Sequence, residues 1–149
     1  GFIAATNAVR GATMQVPPQV APIGSFTDPE YAQVGLTERK ARELHDVAVT
    51  RIDFDSTTRT IIDGRTYGFC KLIVDRGTRK ILGCHVVGER AVEIIQLAAI
   101  AMAGGMRVDD LAAVPLSYPT YAGALGRLAA SATRQLNVQV DWRVSQIEN

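Results

Sequence analysis

Two runs of strand-forming residues, "YGFCKLIVD" (67–75) and "KILGCHVVG" (80–88), are joined by only four residues, "RGTR". Both are rich in β-branched and aromatic residues, and the connection contains the glycine a tight hairpin wants. Cys70, Leu72 and Val74 share one face of the first run, and Leu82, Cys84 and Val86 one face of the second. A chain with this pair must build an antiparallel sheet with an apolar face that something covers. The cover follows at once in "ERAVEIIQLAAIAMAGG" (89–105), where Arg90, Glu93 and Gln96 mark one helix face. From Leu97 onward that helix is apolar all round, which predicts contact on nearly every side, from other helices or from another chain.

Around this centre, "IGSFT" (23–27) reads as a short strand ended by "DPE", because Pro29 cannot join a ladder. "TERKARELHD" is a helix with Thr37 as its N-cap, and "VAVTRIDF" alternates as a strand. A charged connection leads from there to the hairpin. "VDDLAAVPLSYP" gives a short helix and a turn, and residues 121–132 a further helix capped by Thr120. The fold class is therefore α+β: an antiparallel sheet with helices packed on it.

The ends differ in character. Residues 1–11, "GFIAATNAVRG", begin without Met and read as the end of a helix whose start has been cut off, so a fragment of a longer protein is expected. Residues 12–22 carry three prolines and no periodicity, as a linker does. In the tail, 136–149, Val138, Val140, Trp142 and Val144 alternate with polar residues and could form an edge strand.

Composition excludes several functions. Of 149 residues, 47% are hydrophobic and the net charge is +1, with no basic run, so neither nucleic acid nor a membrane surface is an expected partner. The apolar run Ile94–Met106 is too short to span a bilayer, and a cytoplasmic protein is expected. Cys70 and Cys84 are too few for a disulfide scaffold and too far apart for a CxxC redox pair. They read as reduced core residues. His45 and His85 have no Cys, Asp or Glu at metal-ligand spacing, so no metal site is expected. Asp109 and Asp110 fit a helix start. No nucleotide-binding glycine motif, P-loop, HExxH or GxSxG is present.

The unusual segment is "LSYPTYAG" (116–123). Tyr118 precedes a proline, which drives it away from helical backbone, and a helix opens two residues later. The phenol is held in a tight turn at a helix entrance.

Three segments taken together, "SFTDPEYAQVGLTERKAREL", "GFCKLIVDRGTRKILGCHVVGERAVEIIQLAAIAMAGG" and "DLAAVPLSYPTYAGALGRLAA", resemble the C-terminal dimerisation domain of the FAD-dependent pyridine nucleotide-disulfide oxidoreductases. The resemblance runs in order from about Ile23 to Ala130, and residues 1–11 are similar to the last helix of that family's FAD domain. It implies a dimerisation domain over 23–135 that homodimerises, in a parent oxidoreductase with FAD and NAD(P) domains upstream. The parent would use FAD and NAD(P)H, while the present chain would hold neither tightly and catalyse nothing alone.

In the disulfide reductases a His-Pro-Thr motif is followed two residues on by Glu, and the His–Glu pair works as acid/base. The resemblance places Tyr118 at the His position and Gly123 at the Glu position, so both halves are absent. A phenol titrates near pH 10 unless shifted, which suits hydrogen-bond donation better than proton relay at neutral pH. Tyr118 is then the expected catalytic residue, and Tyr118 with Pro119 the expected contact to the partner subunit's flavin. The resemblance also implies a cis Tyr118–Pro119 bond. Mercuric reductase-like, dihydrolipoamide dehydrogenase-like and soluble transhydrogenase-like parents are all open, but the tail lacks the terminal Cys pair of mercuric reductase. A purely structural dimerisation module is the competing expectation.

Overall fold

The computed structural model describes residues 1–15 and 18–140. Its centre is the predicted hairpin, β4 (Gly68–Asp75) and β5 (Ile81–Gly88), within a five-stranded, wholly antiparallel sheet. β1 (Ile23–Ser25), β2 (Tyr31–Gly35) and β3 (Val47–Asp53) complete it in the order β1-β2-β5-β4-β3. The α+β expectation holds. β2 was absent from the sequence reading, because a five-residue strand following a turn proline offers little periodicity.

The hairpin differs in two details. Ile73 pairs with Gly83 but Val74 pairs with Ile81, so Leu82 is the extra residue of a bulge. Leu82 therefore leaves the face of Cys84 and Val86 and packs near Ile73 and Val47, while Ile81 takes the core position. In the turn, Arg79 and not Gly77 adopts the left-handed backbone, at φ 62°. Asp75 compensates: its Oδ1 accepts from the Thr78 backbone N–H at 2.7 Å and from the Thr78 hydroxyl at 2.9 Å. Asx-type bonding supplies the turn that glycine was expected to supply.

Two long helices cover the core face. α4 (Ala91–Ala103) lies on β2 and β5, and α6 (Gly123–Gln135) lies on β3 and β4. Between helices and sheet, Cys70, Leu72, Val74, Cys84, Val86, Ile95, Leu125 and Leu128 are fully buried. Both cysteines are free thiols in this layer, and the contact with Cys84, then burial, pushes the Cys70 thiol up. The short α5 (Val108–Ala112) packs on α6. Ala91, Ile94, Ile95, Ala98, Ala99 and Ala101 of α4 are buried within this chain. Ile100 is left 67% exposed.

α2 (Glu38–Leu44) buries Ala41 against Val47 and Ile73. Thr37 caps it as expected, accepting from the Lys40 N–H at 3.3 Å. His85 is buried, and its Nε2 lies 3.0 Å from the Leu36 carbonyl; burial lowers its pKa. The N-terminal helix α1 (Phe2–Arg10) ends at Gly11 and buries none of its side chains. Residues 138–140 form no strand, and Trp142 and Val144 of the expected edge strand lie outside the described residues.

Candidate functional site

The stretch read as a charged connection, 55–66, contains the element that builds the site. After a 3₁₀ turn (Phe54–Ser56) comes a one-turn helix, α3 (Thr58–Ile62). Phe54 is wholly buried and anchors the segment. The Thr57 and Thr60 hydroxyls, both buried, lie 2.6 Å apart, and the one proton of Thr60 has the carbonyls of Thr57, at 2.8 Å, and Phe54 within reach as acceptors. A pair of satisfied buried hydroxyls makes this short segment rigid where helix propensity alone would not. Gly64, at φ +66°, closes it.

Three hydrogen bonds join this segment to the start of α6. The Tyr118 hydroxyl lies 2.6 Å from Thr58 Oγ1. The Tyr121 hydroxyl donates to Asp63 Oδ2 at 2.8 Å, and Arg127 Nη1 donates to the Ser56 carbonyl at 2.7 Å. Asp63 also holds a two-pronged pair with Arg59, at 2.9 and 2.7 Å. The Tyr121 hydroxyl, then Arg59, keeps the Asp63 carboxyl below its usual range. Burial, then Asp63, pushes the Tyr121 phenol up to about 12.

The turn matches expectation where it was most specific. Tyr118–Pro119 is cis; so is Asp28–Pro29. Thr120 donates to the Ser117 carbonyl at 2.7 Å and accepts from the Gly123 N–H at 3.2 Å, closing the turn ahead of α6, which opens two residues later than expected with Ala122 at its N-cap position and no side-chain cap. Gly123 is not in the left-handed region, and a Cβ there would meet only Thr120 Oγ1, at 3.7 Å. Neither backbone nor packing demands glycine at 123. The missing side chain instead helps open a pocket of about 110 Å³ lined by Thr58, Arg59, Tyr118, Pro119, Gly123 and Arg127. Tyr118 is 79% exposed at its edge.

Sequence reasoning found Tyr118, Pro119 and Gly123 but missed Thr58, Arg59, Asp63 and Arg127. A Thr-rich cap, two isoleucines and a closing glycine in "STTRTIIDG" (56–64) were the available signal for α3. His45 lies elsewhere, with Nδ1 2.8 Å from Asp75 Oδ2. Asp109 pairs with Arg79 at 3.1 Å, and Asp110 accepts from the Arg107 N–H at 2.9 Å. Among the described residues no His, Cys, Asp or Glu cluster is arranged to hold a metal. No helix among them is long and apolar enough to cross a membrane.

Pockets that enclose cofactor-sized ligands are about 300–1,000 Å³, and the Tyr118 pocket is well below that. These residues do not enclose a flavin. They can offer an edge contact, a phenol and a proline, to a group held elsewhere.

The comparisons with known proteins bear on the family and the fold. The family "Pyridine nucleotide-disulphide oxidoreductase, dimerisation domain" matches residues 21–129. The mercuric reductase of Lysinibacillus sphaericus is 38% identical over 131 residues, 87% of this chain and 24% of that protein. Dihydrolipoyl dehydrogenase 3 of Haloarcula marismortui is 30% identical over 129 residues, 86% of this chain and 27% of that protein. The chain thus spans about a quarter of the length of these relatives. Its fold matches the crystal structure of LpdA from Mycobacterium tuberculosis with a TM-score of 0.77 at 23% identity, over 86% of this chain and 28% of that one. The HOCl-induced flavoprotein disulfide reductase RclA from Escherichia coli gives 0.76 at 24% identity, over 85% of this chain and 30% of that one. The sheet, its two covering helices and the matched sequence together make this chain a member of the pyridine nucleotide-disulphide oxidoreductase dimerisation domain family.

Proposed function

We propose that this chain is the dimerisation domain of a FAD-dependent NAD(P)H oxidoreductase, mercuric reductase-like or dihydrolipoamide dehydrogenase-like, and that Tyr118 with Pro119 reaches the partner subunit's flavin and thiol site. In this reading residues 1–11 end the FAD domain, 12–22 link it, 23–135 dimerise and 136–149 form a tail. The observation that carries it is the state of Tyr118. A large aromatic side chain is 79% exposed, yet its hydroxyl is tied to a residue sixty positions away. An aromatic held out in solvent at a defined angle is suited to meet another surface.

Tyr118 would act as a hydrogen-bond donor or acceptor toward a ligand atom at the shared site, such as a thiolate or a thiolate-bound ion. With no histidine at 118 and no carboxylate at 123, a proton relay is not part of the proposal. Tyr118→Phe in the full-length flavoprotein tests it, with NAD(P)H oxidation followed against mercuric dithiolate and against lipoamide. Turnover is expected to fall about tenfold with the acceptor the protein reduces, the usual scale for one hydrogen bond to a charged group. Unchanged kinetics with both acceptors would leave a dimerisation module without a catalytic residue.

A further inference from the structure

We propose that Thr58 is the positioning residue for Tyr118, holding the phenol in one orientation toward the ligand. The inference rests on the reading of Tyr118 given above. Within this chain no packing holds Tyr118, which is 79% exposed, and an untethered aromatic would sample several rotamers before it meets the partner subunit. The Thr58 bond, at 2.6 Å, lies within the normal O–H···O range and fixes the ring from across the pocket.

Thr58 can do this because its own position is determined. It opens α3, whose preceding residue Thr57 is buried and bonded to Thr60, and whose approach is anchored by Phe54. The Ser56–Arg127 and Asp63–Tyr121 bonds flank it, so α3 is bracketed to the start of α6 on both sides of the Thr58–Tyr118 pair. Both flanking bonds secure the segment without Thr58.

The chemistry of the pair also suits the role. Two hydroxyls carry two protons and several lone pairs, and the bond between them uses one proton. The second proton remains for an acceptor atom in the pocket that Thr58 and Tyr118 both line.

Four variants of the full-length flavoprotein test this: Thr58→Val, Thr58→Ser, Tyr118→Phe and the Thr58→Val/Tyr118→Phe double variant. They are assayed with mercuric dithiolate and lipoamide, and fluorotyrosine at position 118 is followed by fluorine NMR. Thr58→Val should lower kcat/KM about fivefold to tenfold, Thr58→Ser should restore it, and the double variant should match Tyr118→Phe alone. The fluorine resonance should shift and broaden in Thr58→Val, as the ring loses its single orientation, and stay in place in Thr58→Ser. If Tyr118→Phe is impaired while Thr58→Val is not, the positioning role fails and the Tyr118 reading survives. If Tyr118→Phe is unimpaired, the Tyr118 reading fails and takes the inference with it. Additive losses in the double variant, or a fluorine resonance that Thr58→Val leaves unmoved, would reduce Thr58 to a structural residue.

Discussion

Asp63 and Tyr121 each shift the other's acid–base equilibrium. The Tyr121 hydroxyl, then Arg59, lowers the Asp63 carboxyl, while burial, then Asp63, raises the Tyr121 phenol to about 12. The signs give two edges of pH. A depressed carboxyl stabilises the fold above its unfolded pKa, and that contribution is lost as pH falls through the folded value. A raised phenol stabilises the fold below pH 10, and its contribution is lost as pH climbs toward 12. Tyr121→Phe removes the first cause of the Asp63 shift, so the Asp63 midpoint, read by carboxyl carbon NMR, is expected to rise toward 3.8. A midpoint that stays put would make Arg59 the controlling partner. At this scale the sequence exposed Tyr118 through its proline neighbour but not Thr58, Asp63 or Arg127. Those three reach the turn from residues 56–63 or from farther along α6, and only folding brings them there.

Elements follow the same division. Strong local patterns were legible: the hairpin, the apolar α4, the Thr37 cap and the helix after Thr120. Elements made by context were not. β2 exists because β5 offers it an edge, pairing Tyr31 with Val87 through Gly35 with Gly83. α3 exists because buried hydroxyls and Phe54 hold a segment too short to be helical alone. The β4–β5 pair also carries a backbone requirement at its open end, where Gly68 faces Gly88 with both at positive φ. A Cβ on Gly68 would overlap the Val87 carbonyl oxygen. Gly68→Ala is expected to cost about 2–4 kcal/mol, combining left-handed strain with overpacking. Denaturant unfolding measures it, and a loss below about 0.5 kcal/mol would show that the strands can part there without penalty.

At the scale of the whole molecule, the sheet and its two helices close one core within a single chain, and α4 keeps an outward row of Glu93, Gln96, Ile100 and Ala103. Ile100 is the large apolar side chain in that row. If a second copy covers it, Ile100→Asp would place a charge in a desolvated contact, which is costly for association. The full-length protein carrying Ile100→Asp is expected to shift from dimer to monomer by light scattering, and its unfolding midpoint to fall by the lost association and no longer depend on protein concentration. An unchanged dimer mass would move the interface away from this row.

Hydrophobic periodicity is a local property, so the sequence by itself determined the class of the fold, the central hairpin, the core-facing cysteines and the helix that covers them. Proline chemistry marked the turn at Tyr118. The tertiary structure alone decided the bulge that turns Leu82 away, the strand β2, the helix α3 and the partners of both turn tyrosines. Each of these depends on groups that are distant in sequence satisfying one another's hydrogen bonds or packing, and no local pattern records which distant group will arrive.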